Sequence, residues 1–154
     1  MPVVFIEFDN VIADTFNCLR SINSYRTEKV SVGTMDEWCM KRLNFNAYIL
    51  VMIKILMKRG YKIHIYSRRK KSDPYGEVVC KWLKNNNIPC DIVHILDKKE
   101  PLSGCVRQKT YLVTTSLDDL YNLKKIDRLS SATVVNAIIN KGKEIPSNCD
   151  RLYL

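Results

Sequence analysis

At 154 residues the chain fits one domain and is long enough to bury a sizeable core. Hydrophobic residues make up 46% and charged residues 27%, the ordinary balance of a soluble globular protein. The longest apolar stretch, Ala47 to Met57, contains Lys54 and is too short to span a bilayer. Met1-Pro2-Val3-Val4-Phe5 runs straight into a strand-like segment holding Glu7 and Asp9, so nothing there reads as a signal peptide. The expectation is an intracellular protein with no membrane partner.

Twenty-five basic residues against 16 acidic ones give a net charge of +9, which favours polyanionic partners: a nucleotide or phosphorylated ligand, a nucleic acid, or an acidic protein surface. The bases are spread thinly except at Arg68-Arg69-Lys70-Lys71, and no segment interleaves aromatic with basic residues. Six cysteines (Cys18, Cys39, Cys80, Cys90, Cys105, Cys149) are scattered, with no CxxC pair and no close histidine. They read as reduced thiols filling the core rather than as disulfides or a zinc site.

In chain order, Val3 to Phe8 is a nearly continuous apolar run broken by Glu7, the pattern of a strand buried on both faces of a parallel sheet. A helix follows from about Asp14 to Arg26. Thr27 to Asn46 has no strong period and reads as a loop, a short helix or a small cap. The spacing predicts a second helix over Ala47 to Arg59, stopped by Gly60 with Lys58 and Arg59 in its last turn. Tyr61 to Tyr66 alternates as a strand ending at Ser67-Arg68-Arg69. Asp73 and Pro74 suggest an N-cap and a first helical proline, opening a helix to about Asn85. Asp91 to Leu96 and Thr110 to Thr114 are the third and fourth strands. Ser116 caps a helix over Leu117 to Lys125, with Asp118 and Asp119 in a solvated first turn. A fifth strand, Ala132 to Ile139, precedes an irregular tail. Strands alternating with helices imply an α/β, Rossmann-like three-layer sandwich with a mostly parallel sheet, as one domain over residues 1–154.

Ligands of open parallel sheets bind beyond the carboxyl ends of the strands. Those ends carry Glu7-Phe8-Asp9-Asn10, Ser67-Arg68, Asp97-Lys98-Lys99 and Thr114-Thr115-Ser116. Val4-Phe5-Ile6-Glu7-Phe8-Asp9-Asn10-Val11-Ile12-Ala13-Asp14-Thr15 resembles the first motif, DxDGVxADT, of the haloacid dehalogenase (HAD) phosphatases. Lys62 to Arg68 is similar to the second motif, and Thr110 to Leu120 resembles the fourth. Trp82-Leu83 with Asn87-Ile88-Pro89-Cys90-Asp91 is similar to the WL…GIPYD stretch of the deoxyribonucleotidase-like branch. The resemblance covers about Val3 to Lys125. It implies a HAD-like fold, a small or absent cap at about residues 27–46, and Mg²⁺ if the chain is active. It also implies a nucleophilic aspartate in the Glu7 slot, Asp9 as general acid and base, Ser67 with Lys98 or Lys99 holding phosphate (Lys109 is a further candidate), and Arg68 beside them. Metal ligands would come from Glu7, Asp9 and Asp118.

The departures from the pattern carry chemical weight. Glu7 adds one methylene, about 1.5 Å, in the nucleophile slot. In-line attack needs reacting atoms about 3–3.5 Å apart, so the displacement harms the reaction. The acidic pair expected before the serine is Thr114-Thr115, which offers hydroxyls and no charge. Plainer readings stand beside these. Asp9-Asn10 suits a strand-to-loop turn, Ser67 an ordinary strand-end hydroxyl, and Arg68 with Arg69 a solvated basic surface. His64, His94 and Trp82 alternate with apolar neighbours and read as packing residues. Glu7 in an apolar run needs a partner, expected to be Lys98, Lys99 or a bound cation. Three functions compete: a HAD-like pseudophosphatase that binds or regulates, an active Mg²⁺-dependent phosphohydrolase using Asp9, and a basic nucleic-acid-binding module.

Overall fold

The strand-like N-terminal run becomes β1 (Val3–Glu7), the centre of the molecule in a computed structural model that describes residues 1–135 and 149–152. Around it lie β2 (Lys62–Arg68), β3 (Ile92–Leu96), β4 (Thr110–Thr114), β5 (Leu129–Val135) and β6 (Asp150–Leu152), in the order β3-β2-β1-β4-β5-β6. Every neighbouring pair is parallel. The chain moves outward from β1 in one direction through β2 and β3, then returns and moves the other way through β4 to β6. Right-handed crossovers then place the connecting helices on opposite faces, and the reversal between β1 and β4 is a topological switch point.

The side-chain period of two along the central strand sorts the core into two layers. Val4 and Ile6 join Ile63, Ile65 and Val113 against Ile22 of α1 (Thr15–Asn23), Ile49 and Ile53 of α3 (Ala47–Lys58), and Val79, Trp82 and Leu83 of α4 (Tyr75–Asn85). Phe5 faces the other way, joining Tyr66, Leu112, Ala132 and Val134 against Leu117, Leu120 and Leu123 of α5 (Leu117–Lys125). This is the expected three-layer α/β sandwich. Trp82 fills the core and meets Phe8 edge-on at 5.2 Å between ring centroids. His64 and His94 also pack rather than stand in a site: their rings stack, Nδ1 to Nε2 is 2.9 Å, and Phe5 lies against both.

Several boundaries differ from the sequence reading for local reasons. α1 ends at Asn23, short of Arg26, with Ser24 in the cap position donating its hydroxyl to the Ser21 carbonyl at 2.6 Å. α4 begins at Tyr75 with Pro74 in the cap position, so Asp73 lies outside the helix and is not its N-cap. β5 starts three residues before Ala132, and the rest of the predicted strand, residues 136–139, lies outside the described residues. β6 replaces part of the expected irregular tail; three residues are too few to show a period, and their pairing with β5 defines them. α3 ends as expected at Gly60, whose φ of +89° suits glycine.

The segment Thr27 to Asn46 folds as a 3₁₀ turn (Val32–Thr34) and the one-turn α2 (Glu37–Met40), capped by Asp36, which accepts from Cys39 N at 3.0 Å. Met35, Cys39, Met40 and Leu43 are buried in the α1–α4 layer. The Gly33 carbonyl accepts from Lys70 N at 2.8 Å, tying this small insert to the end of β2. Cys18, Cys39, Cys80, Cys90 and Cys105 form no disulfide, but only Cys39 is buried as core filler: Cys18, Cys90 and Cys105 are half-buried against the core and Cys80 is exposed. Among the described residues no helix is long and apolar enough to cross a membrane.

Candidate functional site

The carboxyl ends of β1, β2 and β4 converge at the switch point, and their side chains form one hydrogen-bonded cluster. After β1 the chain turns sharply at Asn10, whose φ of 66° is left-handed, a conformation asparagine tolerates. Asn10 N donates to the Ala13 carbonyl at 2.8 Å, and Asn10 Oδ1 accepts from Phe16 N at 2.8 Å. That turn fixes Asp9, which is buried. Asp9 does more than close the turn. Its Oδ1 accepts from Thr15 Oγ1 at 2.8 Å and Arg69 Nη2 at 2.8 Å, and its Oδ2 from Ser67 Oγ at 2.9 Å and Arg69 Nη1 at 2.6 Å.

Arg69 is therefore not a solvated surface residue. It is 1% exposed, forms a two-pronged ion pair with Asp9, and lies with its guanidinium carbon 5.7 Å from the Phe8 ring centroid. Its Nε has no acceptor, the sole such buried side-chain atom among the described residues. Arg68, one residue earlier, points to the opposite side, as successive strand residues do. Arg68 Nη1 and Nη2 donate to Asp119 Oδ2 and Oδ1 at 3.0 and 2.9 Å, and Nη2 also donates to the Glu100 carbonyl at 3.0 Å.

Asp119 is thus a second correction. The expected solvated first turn holds for Asp118, which is exposed, but Asp119 is 4% exposed. A helix advances about 100° per residue, enough to turn the second acid inward. It also accepts from Tyr66 Oη at 2.9 Å, while Ser116 Oγ caps the helix by accepting from Asp119 N at 3.1 Å.

Glu7 finds partners other than those expected. Its Oε1 accepts from Thr115 N and Thr115 Oγ1, both at 2.8 Å, and lies 2.9 Å from Thr114 Oγ1. Lys98 and Lys99 sit in the exposed turn after β3, and β2 lies between that strand and β1. Neither lysine pairs with Glu7, Asp9 or Ser67. Lys109 pairs instead with Asp127 at 3.4 Å. Burial is the largest influence on Glu7 and raises its pKa from 4.5 to about 7; the Thr115 donors oppose this and nearby Asp119 adds to it. The supply of hydrogens points the same way. Tyr66 Oη is 2.8 Å from Thr114 Oγ1 yet gives its single hydrogen to Asp119, so Thr114 has one hydrogen to share between Tyr66 and Glu7. A proton on Glu7 relieves that shortage. Burial, then the Glu7 and Asp119 charges, likewise pushes the Tyr66 phenol well above its ordinary value.

A divalent magnesium ion needs several carboxylate oxygens free to coordinate it. Here both Asp9 oxygens and both Asp119 oxygens are held by guanidinium groups, Glu7 Oε1 is taken by the two Thr115 donors, and Asp118 stands outside the cluster. Among the described residues no three His, Cys, Asp or Glu side chains are arranged to hold a metal. The expected set of Glu7, Asp9 and Asp118 does not assemble, and the residues present do not fit the ion.

The fold is a HAD-like α/β sandwich, with Asp9 and Asp119 at its strand ends each paired to an arginine. No protein-family model matches the sequence, and no curated protein does. Solved structures with the same fold include D,D-heptose 1,7-bisphosphate phosphatase from Burkholderia thailandensis, at TM-score 0.66 and 11% identity over 98% of this chain and 91% of that one. The corresponding enzyme from B. bronchiseptica, complexed with magnesium and phosphate, matches at TM-score 0.59 and 11% identity over 98% and 92%. A chain of the Pnkp1/Rnl/Hen1 complex matches at TM-score 0.58 and 14% identity over 84% of this chain, which spans 44% of its length.

Proposed function

We propose that this protein is a HAD-like pseudophosphatase, acting by binding or regulation rather than by turnover. The observation that carries this is the buried Arg69, which grips both oxygens of Asp9, the side chain in the general acid and base slot. An acid or base must present a lone pair or proton to the substrate within hydrogen-bond reach, and here Thr15, Ser67 and Arg69 already occupy those positions. Glu7 in the nucleophile slot, with Oε1 taken by the Thr115 donors and its pKa raised by burial to about 7, supports the same reading. A phosphorylated ligand would enter on the Arg68 side, where the guanidinium side chain is 26% exposed, and compete with Asp119 for it. Lys98 and Lys99, in the exposed turn after β3, would supply further positive charge there, whereas Ser67 faces Asp9 on the other side.

The test is an assay with Mg²⁺ on p-nitrophenyl phosphate and a panel of nucleoside monophosphates, run beside Asp9→Asn and Glu7→Asp. No turnover by the folded parent is expected. Turnover that Asp9→Asn abolishes would replace this reading with that of an active phosphohydrolase.

A further inference from the structure

Although the sequence does not interleave aromatic and basic residues, the fold brings such a group together on the small insert. Tyr25, just past α1, and Trp38, in α2, are 64% and 39% exposed and line a cavity of about 330 Å³ with Arg26 and Asp36. Scattered exposed aromatics are ordinary on a soluble protein; two sharing a cavity with a guanidinium group mark a binding surface. The Arg26 guanidinium carbon lies 5.5 Å from the Trp38 ring centroid and that of Arg42 lies 3.5 Å from it. Arg42 Nη1 donates to the Trp38 carbonyl at 2.7 Å, which fixes it on the indole. Arg26 makes no side-chain hydrogen bond among the described residues, and its charge acts on the Asp36 carboxylate across the cavity. Lys29 Nζ donates to the Arg26 carbonyl at 2.9 Å, keeping another cation beside it. Asp36 uses Oδ1 to cap α2 and retains acceptor capacity at the cavity wall.

We propose that this slot binds a nucleotide unit of a single-stranded nucleic acid. The base stacks on Tyr25 and Trp38, the phosphates meet Arg26, Arg42 and Lys29, and Asp36 accepts from a base N–H. Stacking needs only a π-face, which every base offers once it is not paired in a duplex. An acidic peptide would match the cations but would leave both rings without a counterpart. A strand is favoured over a free nucleotide because the walls are open and the net charge of +9 rewards a partner with many phosphates. None of these residues belongs to the Glu7–Asp9–Arg69 cluster, so this inference and the pseudophosphatase reading stand or fall separately.

The test uses the full chain and a fluorescently labelled single-stranded oligonucleotide of about 12 residues, followed by anisotropy. Trp82 is buried, which makes Trp38 the tryptophan whose emission contact would quench. Expected are saturable binding, quenching, and a loss of about tenfold or more in affinity for Trp38→Ala and Tyr25→Ala, with Trp38→Phe largely retaining it. The double change Arg26→Gln with Arg42→Gln should weaken binding and flatten its salt dependence. Circular dichroism should be unchanged, since these side chains are surface-placed. No binding, or equal binding by Trp38→Ala, would overturn the proposal. So would equal competition by duplex or heparin, which would reduce the contact to charge alone. A nucleoside monophosphate or an acidic peptide binding as tightly as the strand would overturn it in favour of that ligand.

Discussion

Replacing Glu7 by glutamine should stabilise the protein at alkaline pH and leave it unchanged in acid. Folding raises the pKa of this carboxyl from 4.5 to about 7. Its protonated form therefore belongs to the folded state, and the stability it contributes is complete below pH 4.5, falls as pH rises, and is gone above about 7. At about 1.36 kcal/mol per pH unit, the gap sets a ceiling of about 3 kcal/mol. The end of β1 is not fully closed to solvent, so the measured figure should fall below that ceiling. The amide of the variant keeps an acceptor for Thr115 N and Thr115 Oγ1 and never ionises. At about 2–4 °C per kcal/mol for a chain of this size, Glu7→Gln should melt higher than the parent by up to about 10 °C at pH 8. At pH 4 the two should coincide. Thermal melts of both proteins at the two pH values decide the matter. An equal difference at both values, or a variant that melts lower at pH 8, would refute the reasoning.

Arg69→Met should destabilise by about 3–5 kcal/mol, because it leaves Asp9 charged and buried without its partner, and urea unfolding would read it. Arg68→Met should cost less, since that guanidinium is 26% exposed and its pair is partly screened. Mg²⁺ at millimolar levels should leave the melting temperature of the parent unchanged; a concentration-dependent rise would show a metal bound to the fold. Burial lowers the pKa of both His64 and His94, so the unfolded chain takes up protons first on acidification. The histidines' own contribution should therefore fall as pH drops below about 6.5, opposing the Glu7 trend, and a His64→Phe, His94→Phe double variant followed by thermal melts should gain more on acidification than the parent.

The fold was legible because its signals are periodic. The apolar run of β1, the helix stop at Gly60 and the Ser116 cap each express a local rule that the tertiary structure reinforces. The site was legible only by position. Glu7, Asp9, Ser67 and Arg68 do meet at one end of the sheet, but their partners are set by distance across strands. The run Arg68-Arg69-Lys70-Lys71 looks uniform in the sequence. In the fold Arg69 is buried against Asp9, Arg68 is clamped to Asp119, and Lys70 and Lys71 are exposed. One signal for Arg69 was available: it directly continues an apolar strand, where a neighbour as buried as Ser67 is the norm. Tyr25 and Trp38 lie 13 positions apart in a stretch without period, and only the turn after α1 brings them to one cavity.

The charges at the strand ends are the physical basis of the proposed pseudophosphatase reading. Asp9 faces Arg69 and Asp119 faces Arg68, so each of these two carboxylates is offset by a guanidinium, while burial raises the pKa of Glu7 to about 7. Phosphoryl transfer depends on the opposite arrangement, in which carboxylates gather a cation and the cation gathers the phosphate. In this chain the cations are covalently part of β2 and its continuation. A divalent ion would have to break a bidentate pair and leave a buried guanidinium uncompensated, a loss of several kcal/mol before any coordination is gained. On the proposed reading, the same two arginines that stabilise the carboxylates oppose the field that catalysis would use. Restoring only the nucleophile, as Glu7→Asp does, should not by itself restore turnover while Arg69 remains in place.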